Sequence, residues 1–255
     1  MTVLLRYPLL IFVLSFILLW IAAWLGATVL RRKVDPGEGV RQDFSVVLAA
    51  TLTLLGLILG FSFSMAINRY DQRKNLEEEE ANAIGTEYLR VTLLPAADAA
   101  QARTLLKEYL EQRIAFYTTR DLDEYNKIVA RTSQIQDALW SAVASPAKAQ
   151  PTPIAALALT GMNDVINSQG YTQAAWWNRI PVTAWILMLV IAVASNLLVG
   201  SGARQFKAER TLLLVLPFVI AVTFMLIADI DSPRGGLIIV QPQNLQSLQE
   251  SLRAQ

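Results

Sequence analysis

The sequence predicts an all-α membrane protein, with four transmembrane helices and a helical extramembrane domain between the second and third. Three observations carry that reading. Hydrophobic residues make up 54% of the 255 and charged residues only 17%, against about 45–50% and about 25% in soluble chains. The surplus is gathered in four apolar runs, each able to cross a hydrocarbon core of ~30 Å at about 1.5 Å per residue. Between the second and third runs no stretch alternates with period two, and good helix formers (Ala, Leu, Glu, Gln, Lys, Arg) predominate. Backbone groups in lipid must be satisfied within the segment, so the runs themselves are helices.

The elements follow in order. The first run, residues 8–30, is uncharged and closed by Arg31, Arg32 and Lys33; it is too long for a signal-peptide core and is expected to be retained. The second is 44–67, the third 180–199 and the fourth about 212–230. The expected domains are therefore 1–67 (spans one and two), 68–179 (helical and extramembrane), 180–230 (spans three and four) and a 231–255 tail. No proline occurs between Phe44 and Leu94, so the second helix is expected to leave the membrane and continue into solvent. Pro95 ends one helix, and Asp98 is the predicted N-cap of the next, whose Leu105, Leu106, Tyr109, Leu110 and Ile114 form an apolar stripe. A third extramembrane helix spans about 122–143. The 145–152 segment, with Pro146 and Pro151, reads as a linker, and Pro153 opens a helix running towards the third span. In the tail, 237–240 is β-prone. Leu245, Leu248 and Leu252 then fall at i, i+3 and i+7, a stripe too short to stand alone that docks on its own subunit or a neighbour. Trp176, Trp177 and Trp185 read as an aromatic belt, Asn196 as an interhelical hydrogen-bonding residue, and Asp229 and Asp231 either as interfacial anchors or as charges on the access to a pore.

Composition also narrows the chemistry. The 22 Lys+Arg nearly cancel the 21 Asp+Glu, which gives no case for nucleic acid binding. There is no His and no Cys, so disulfides, imidazole or thiolate metal sites and Ser-His-Asp or Cys-His machinery are excluded. An intramembrane enzyme would then need a carboxylate pair within the spans, whose cores hold no Asp or Glu. No catalytic residue, metal or cofactor is expected. Ions moved without covalent chemistry fit what is left.

Orientation is not decided by charge. An even number of spans puts both termini and 68–179 on one side. The two short loops carry Arg31, Arg32, Lys33, Arg41, Arg204, Lys207 and Arg210, against Arg6, Arg69, Arg73, Lys74, Arg179 and Arg234 opposite: seven against six.

The second span carries the sharpest pattern. Gly56, Gly60 and Ser64 recur every four residues as a small-residue ridge that lets another helix approach. Thr53, Leu57 and Phe61 recur on a neighbouring stripe. In a ring of such helices the ridge would pack the ring and the stripe would face its axis; ordinary helix packing is the plainer alternative. Just beyond come Arg69, Arg73 and Lys74, then four Glu that include Glu77 and Glu80. They read either as a solvated, salt-bridged helix face or as a ring of charge at a pore mouth. Four consecutive Glu point around most of a helix, which argues against one convergent cation site.

These residues resemble a known family. Leu59-Gly60-Phe61, with Arg69-Tyr70 eight residues on, resembles the pore-neck helix of bestrophins; bacterial members carry a further Arg, as Arg73 is here. Met162-Asn163, Gly170, Trp177 and Ile180-Pro181 keep the spacing of the bestrophin segment leading into the third span. The NRYDQR run at 68–73 and the EANAIG run at 80–85 look like the bacterial bestrophin-like domain family. The resemblance implies a homopentameric ion channel, with the lipid bilayer, further copies of the chain and permeant small ions as partners. It places Thr53, Leu57 and Phe61 on a hydrophobic neck that gates by dewetting, and makes Ile154 the candidate for a second constriction. It also implies a bacterial inner-membrane protein with termini and helical domain in the cytoplasm. The chain departs from the family at Asp71, which replaces an aromatic residue. It departs again after the fourth span, where only Asp229 and Asp231 stand in place of the dense calcium-binding acidic cluster of animal members. The competing function is a membrane-anchored scaffold or sensor whose helical domain recruits a partner.

Overall fold

The computed structural model describes residues 7–30, 38–202 and 212–254. Of the basic residues counted above, Arg6, Arg31, Arg32, Lys33, Arg204, Lys207 and Arg210 lie outside them. Among the described residues there is no strand. The helices are α1 (Pro8–Leu25), continued by a π-helical turn (Gly26–Leu30), α2 (Glu38–Arg90), a 3-10 turn (Val91–Leu93), α3 (Ala96–Thr118), α4 (Leu122–Ala149), α5 (Pro153–Trp177), α6 (Val182–Gly202), α7 (Leu212–Asp231) and α8 (Gln243–Arg253). Four of them carry segments long and apolar enough to cross a membrane. The proline-free stretch does form one helix, α2, of 53 residues.

The chain divides into two compact units. The first comprises residues 1–69 and 179–239. In it α1 packs against α6 and α7, with the Phe218 ring edge-on to Phe12 and Phe16 at 5.8 and 6.3 Å. Where α1 passes into the π-helical turn the approach to α6 is backbone on backbone. A Cβ at Gly200 would overlap the Ala23 carbonyl oxygen, and one at Gly26 would overlap that of Leu197. Only glycine permits that spacing.

The end of α7 is organised by its two aspartates. Asp231 accepts the Ile180 amide at 3.1 Å and pairs with Arg69 at 3.2 Å. Asp229 accepts the Leu237 and Ile238 amides, both at 2.8 Å. The expected β-prone run at 237–240 is therefore no strand, because its first amides bond to a carboxylate rather than to a ladder. Asn196 also differs from expectation: its amide donates to Ala192 O at 2.8 Å within its own helix.

The second unit comprises residues 70–178 and 240–255. Here α3 packs on α4, α4 on α5, and α8 on α3, around a core that includes Ile84, Leu106, Tyr109, Phe116, Leu139, Met162 and Leu245. The tail stripe thus docks on its own chain. Three local expectations are corrected. Helix α3 starts one residue after Pro95, which is its N-cap residue, and Asp98 lies in the first turn; an acidic residue there is favoured by the helix dipole without serving as the cap. Helix α4 runs through Pro146 to Ala149, ending with Gln150 N donating to Pro146 O at 2.9 Å. Its last turns are held by burial of Ala142, Val143, Ala144 and Pro146, which offsets the amide hydrogen bond lost at proline. Trp176 is buried against Phe116 and Tyr117, with ring centroids at 4.8 and 5.3 Å, so it belongs to this core and not to an interfacial belt.

Candidate functional site

The span of α2 is unlike the others. Only 6% of its most apolar window is buried within the chain, against 50% for α7. Leu55, Ser62 and Ala66 face inward. Phe61 is 65% exposed and Leu57 52%, Thr53 is exposed, and its hydroxyl donates to Ala49 O at 2.9 Å. The small ridge is open as well: a Cβ at Gly56 or Gly60 would meet nothing within 4 Å, and Ser64 is exposed. Both faces that the periodicity singled out therefore lie uncovered by the chain itself. The glycines that meet another helix's backbone inside the chain, Gly26 and Gly200, are elsewhere.

The charged stretch that follows divides by helical phase. Arg69 is engaged by Asp231. Lys74, Glu78 and Glu79 are exposed, whereas Arg73, Glu77 and Glu80 are buried. The expected solvated face thus holds only the first three, and the charges of Glu77 and Glu80 are answered inside the helical unit. Tyr70 is half-buried against that unit's core.

Glu80 forms an ion pair with Arg113 of α3 through Nε, and also accepts from Arg113 Nη2 at 3.4 Å and from Tyr117 and Thr172 hydroxyls at 3.3 Å each. The guanidinium also lies 4.3 Å from the Phe116 ring centroid. Burial alone would lower the pKa of Arg113, but the Glu80 carboxylate together with the Tyr109 and Tyr117 phenols more than offsets it and leaves it above its ordinary value. Burial, with Glu80 adding, pushes the Tyr117 phenol well above its usual range. Raised values keep Arg113 charged and Tyr117 neutral, and the hydrogen bonds tie the three helices together, so the cluster is a structural bolt joining α2, α3 and α5.

Glu77 does something different. It accepts the Leu245 amide at 3.0 Å and the Asn244 side-chain amide at 2.7 Å, and so caps the N-terminus of α8 from another helix, where negative charge is favoured. An eleven-residue helix is marginal alone. Glu77→Ala is expected to cost about 0.5–2 kcal/mol and to speed hydrogen exchange selectively between Leu245 and Leu252. Unchanged exchange there would show that apolar packing alone holds α8.

The remaining expected positions lie along α5 and at the start of α6. Ile154 is exposed in the first turn of α5, after Thr152 caps the helix by accepting the Ala155 amide at 3.1 Å. Met162 is in the core, Asn163 and Trp177 are exposed, and a Cβ at Gly170 would meet open space. Pro181 is exposed, and its carbonyl accepts the Ala184 amide at 3.0 Å as α6 begins. Arg113, Tyr117, Thr172, Glu87 and Gly161 were not singled out from sequence. A signal existed for Arg113, which falls on the α3 apolar stripe four residues after Tyr109.

Comparison with known proteins follows the same lines. A bacterial bestrophin homologue from Klebsiella pneumoniae, solved by Zn-SAD phasing, superposes with a TM-score of 0.66 at 13% identity, covering 96% of this chain and 97% of that one. A variant of the Klebsiella pneumoniae homologue, with one tryptophan replaced by alanine, gives 0.68 at 12% identity, covering 95% and 96%. A membrane protein solved with a proline-to-alanine substitution gives 0.67 at 13%, covering 97% of each. No curated protein is significantly similar. At these identities the structures establish the fold, while the Bestrophin-like domain matches residues 13–245. Spanning nearly the whole of a four-span, all-helical chain, that match makes the protein a member of the Bestrophin-like family.

Proposed function

We propose that the chain assembles into a homo-oligomeric ion channel, a pentamer as the family resemblance implies, with its pore lined by Thr53, Leu57 and Phe61 of α2. One observation carries the reading: α2 is a membrane span whose small ridge and apolar stripe are both uncovered within its own chain. Lipid can cover the exposed Leu and Phe. Glycines are harder to explain that way, since each costs a helix about 1 kcal/mol relative to Ala and returns it only when another backbone comes close. A second copy on the ridge puts the adjacent stripe on a shared axis. A hydrophobic constriction of that kind passes ions only when wetted. The permeant species are small ions, Ile154 is the candidate for a second constriction, and the helical unit lies on the cytoplasmic side of a bacterial inner membrane.

Two measurements test this. In planar bilayers, Phe61→Ala and Leu57→Ala widen the neck and are expected to raise the current; no current from wild type, and none created or altered by either substitution, sinks the channel reading. Native mass spectrometry is expected to find Gly60→Leu folded but dissociated to lower stoichiometry, because the added side chain meets nothing in the chain itself. An unchanged oligomer would remove the ridge from the assembly.

A further inference from the structure

The helical unit contains one buried acid without a hydrogen-bond partner among the described residues. Glu77, Glu80, Asp229 and Asp231 are buried, and each accepts hydrogen bonds. Glu87, on α2, is 0% exposed, and neither carboxyl oxygen has a hydrogen-bond partner. Its Oε2 lies so close to Gly161 of α5 that a Cβ there would overlap it.

The charges facing Glu87 are few. Arg90, one turn on along α2, pairs with Asp164 of α5 at 3.8 Å. Glu80, two turns back, is neutralised by Arg113. On α3, Arg103 and Lys107 stand over the Tyr88 ring at 4.7 and 5.7 Å. Among the described residues no Lys or Arg nitrogen reaches ion-pairing distance of the Glu87 carboxyl. A buried carboxylate with no hydrogen-bond donor is costly to ionise. Burial accordingly raises the pKa of Glu87 from 4.5 to about 8, with Arg90 opposing and Asp164 adding to the rise.

We propose that Glu87 is a proton-operated catch between α2 and α5. With its proton on, the neutral acid lies against Gly161 and the helices stay seated. When the proton is released to solvent, the carboxylate must be hydrated, and α5 lifts from α2. Ile154 opens α5, less than two turns from Gly161 (seven residues, about 10 Å along the axis). Resting on the channel reading above, the catch therefore makes conduction depend on pH on the side of the helical unit.

The sign follows from linkage. A carboxyl whose folded pKa is raised binds its proton more tightly folded than unfolded. Its contribution is least unfavourable below about pH 4.5, stability falls as pH rises from there to about 8, and it is level beyond.

The test uses the intact protein in lipid. Infrared titration is expected to show a protonated-carboxyl band lost with a midpoint near pH 8, and Glu87→Gln to lack that band. Asp164→Asn, which removes a facing negative charge, is expected to keep the band and lower its midpoint. Hydrogen exchange, corrected for base catalysis, is expected to show amides around Gly161 losing protection above the midpoint in wild type and not in Glu87→Gln. A band that survives Glu87→Gln, a midpoint unmoved by Asp164→Asn, or α5 protection equal on both sides of the titration overturns the catch. In bilayers, current that varies with pH in wild type but not in Glu87→Gln supports the coupling to conduction, and pH-independent wild-type current overturns it. Absence of current at every pH removes the channel reading, and the infrared and exchange results still decide the catch.

Discussion

Replacing Arg113 with Met is expected to destabilise the helical unit by about 3–5 kcal/mol, one of the two largest effects expected of any single substitution here. The change leaves the Glu80 carboxylate fully buried, with only the Tyr117 and Thr172 hydroxyls at 3.3 Å each to answer it. Two neutral donors at long distance do not compensate a charge removed from water. Removing the charge from both sides is different. Glu80→Gln with Arg113→Met keeps an oxygen for the two hydroxyls and strands no charge, so most of the loss is expected to return. Denaturant unfolding of the purified protein, with hydrogen exchange across α3 and α5, measures each variant and yields the coupling between them. A cost below about 1 kcal/mol for Arg113→Met, in the range of exposed pairs, would mean that water reaches the cluster.

That cluster shows where sequence and structure part company. The four spans were legible because lipid imposes one demand, length of apolar helix, and α2 could be followed past the membrane because no proline interrupts it. Four adjacent Glu, by contrast, look alike in sequence. Their fates are set by phase: Ile84, Tyr88 and Val91 are buried, and stepping back by three or four from Ile84 reaches Glu80, Glu77 and Arg73. The inward stripe of α2 was present in the sequence, but charge concealed it. Arg113 was hidden likewise on an otherwise apolar face. Pro146 misled in the opposite direction, since burial of the surrounding turn outweighs a single lost amide. The Thr53, Leu57 and Phe61 stripe was legible from periodicity and from the resemblance to bestrophins. A single chain leaves it uncovered, and on the proposed reading further copies of the chain set its role.

The second large effect concerns the glycines that were not legible. Gly200→Ala is expected to destabilise the membrane unit by about 3 kcal/mol or more, at or beyond the top of the usual range for overpacking. Its methyl would overlap the Ala23 carbonyl oxygen and lie 2.8 Å from the carbonyl carbon and 3.0 Å from Ala27 N. All three are backbone atoms, so no rotamer change relieves the collision. Helix α6 must move away from α1 and the π-helical turn, giving up dispersion contacts along the whole crossing. Gly26→Ala meets the reciprocal obstacle at Leu197 and Ser201 and is expected to behave alike. The contrast is Gly56→Ala, where the added methyl meets nothing in the chain and helix propensity favours alanine by about 0.5–1 kcal/mol. Denaturation in mixed micelles, under conditions chosen to keep the chain monomeric, is expected to find Gly56→Ala no less stable than wild type and Gly200→Ala strongly weakened. In the bilayer-reconstituted assembly the ordering changes if copies meet on the ridge, because Gly56→Ala then also loses stability. Equal behaviour of Gly56→Ala in the two settings would mean that its face of α2 meets only lipid, and the pore would have to be built from another surface.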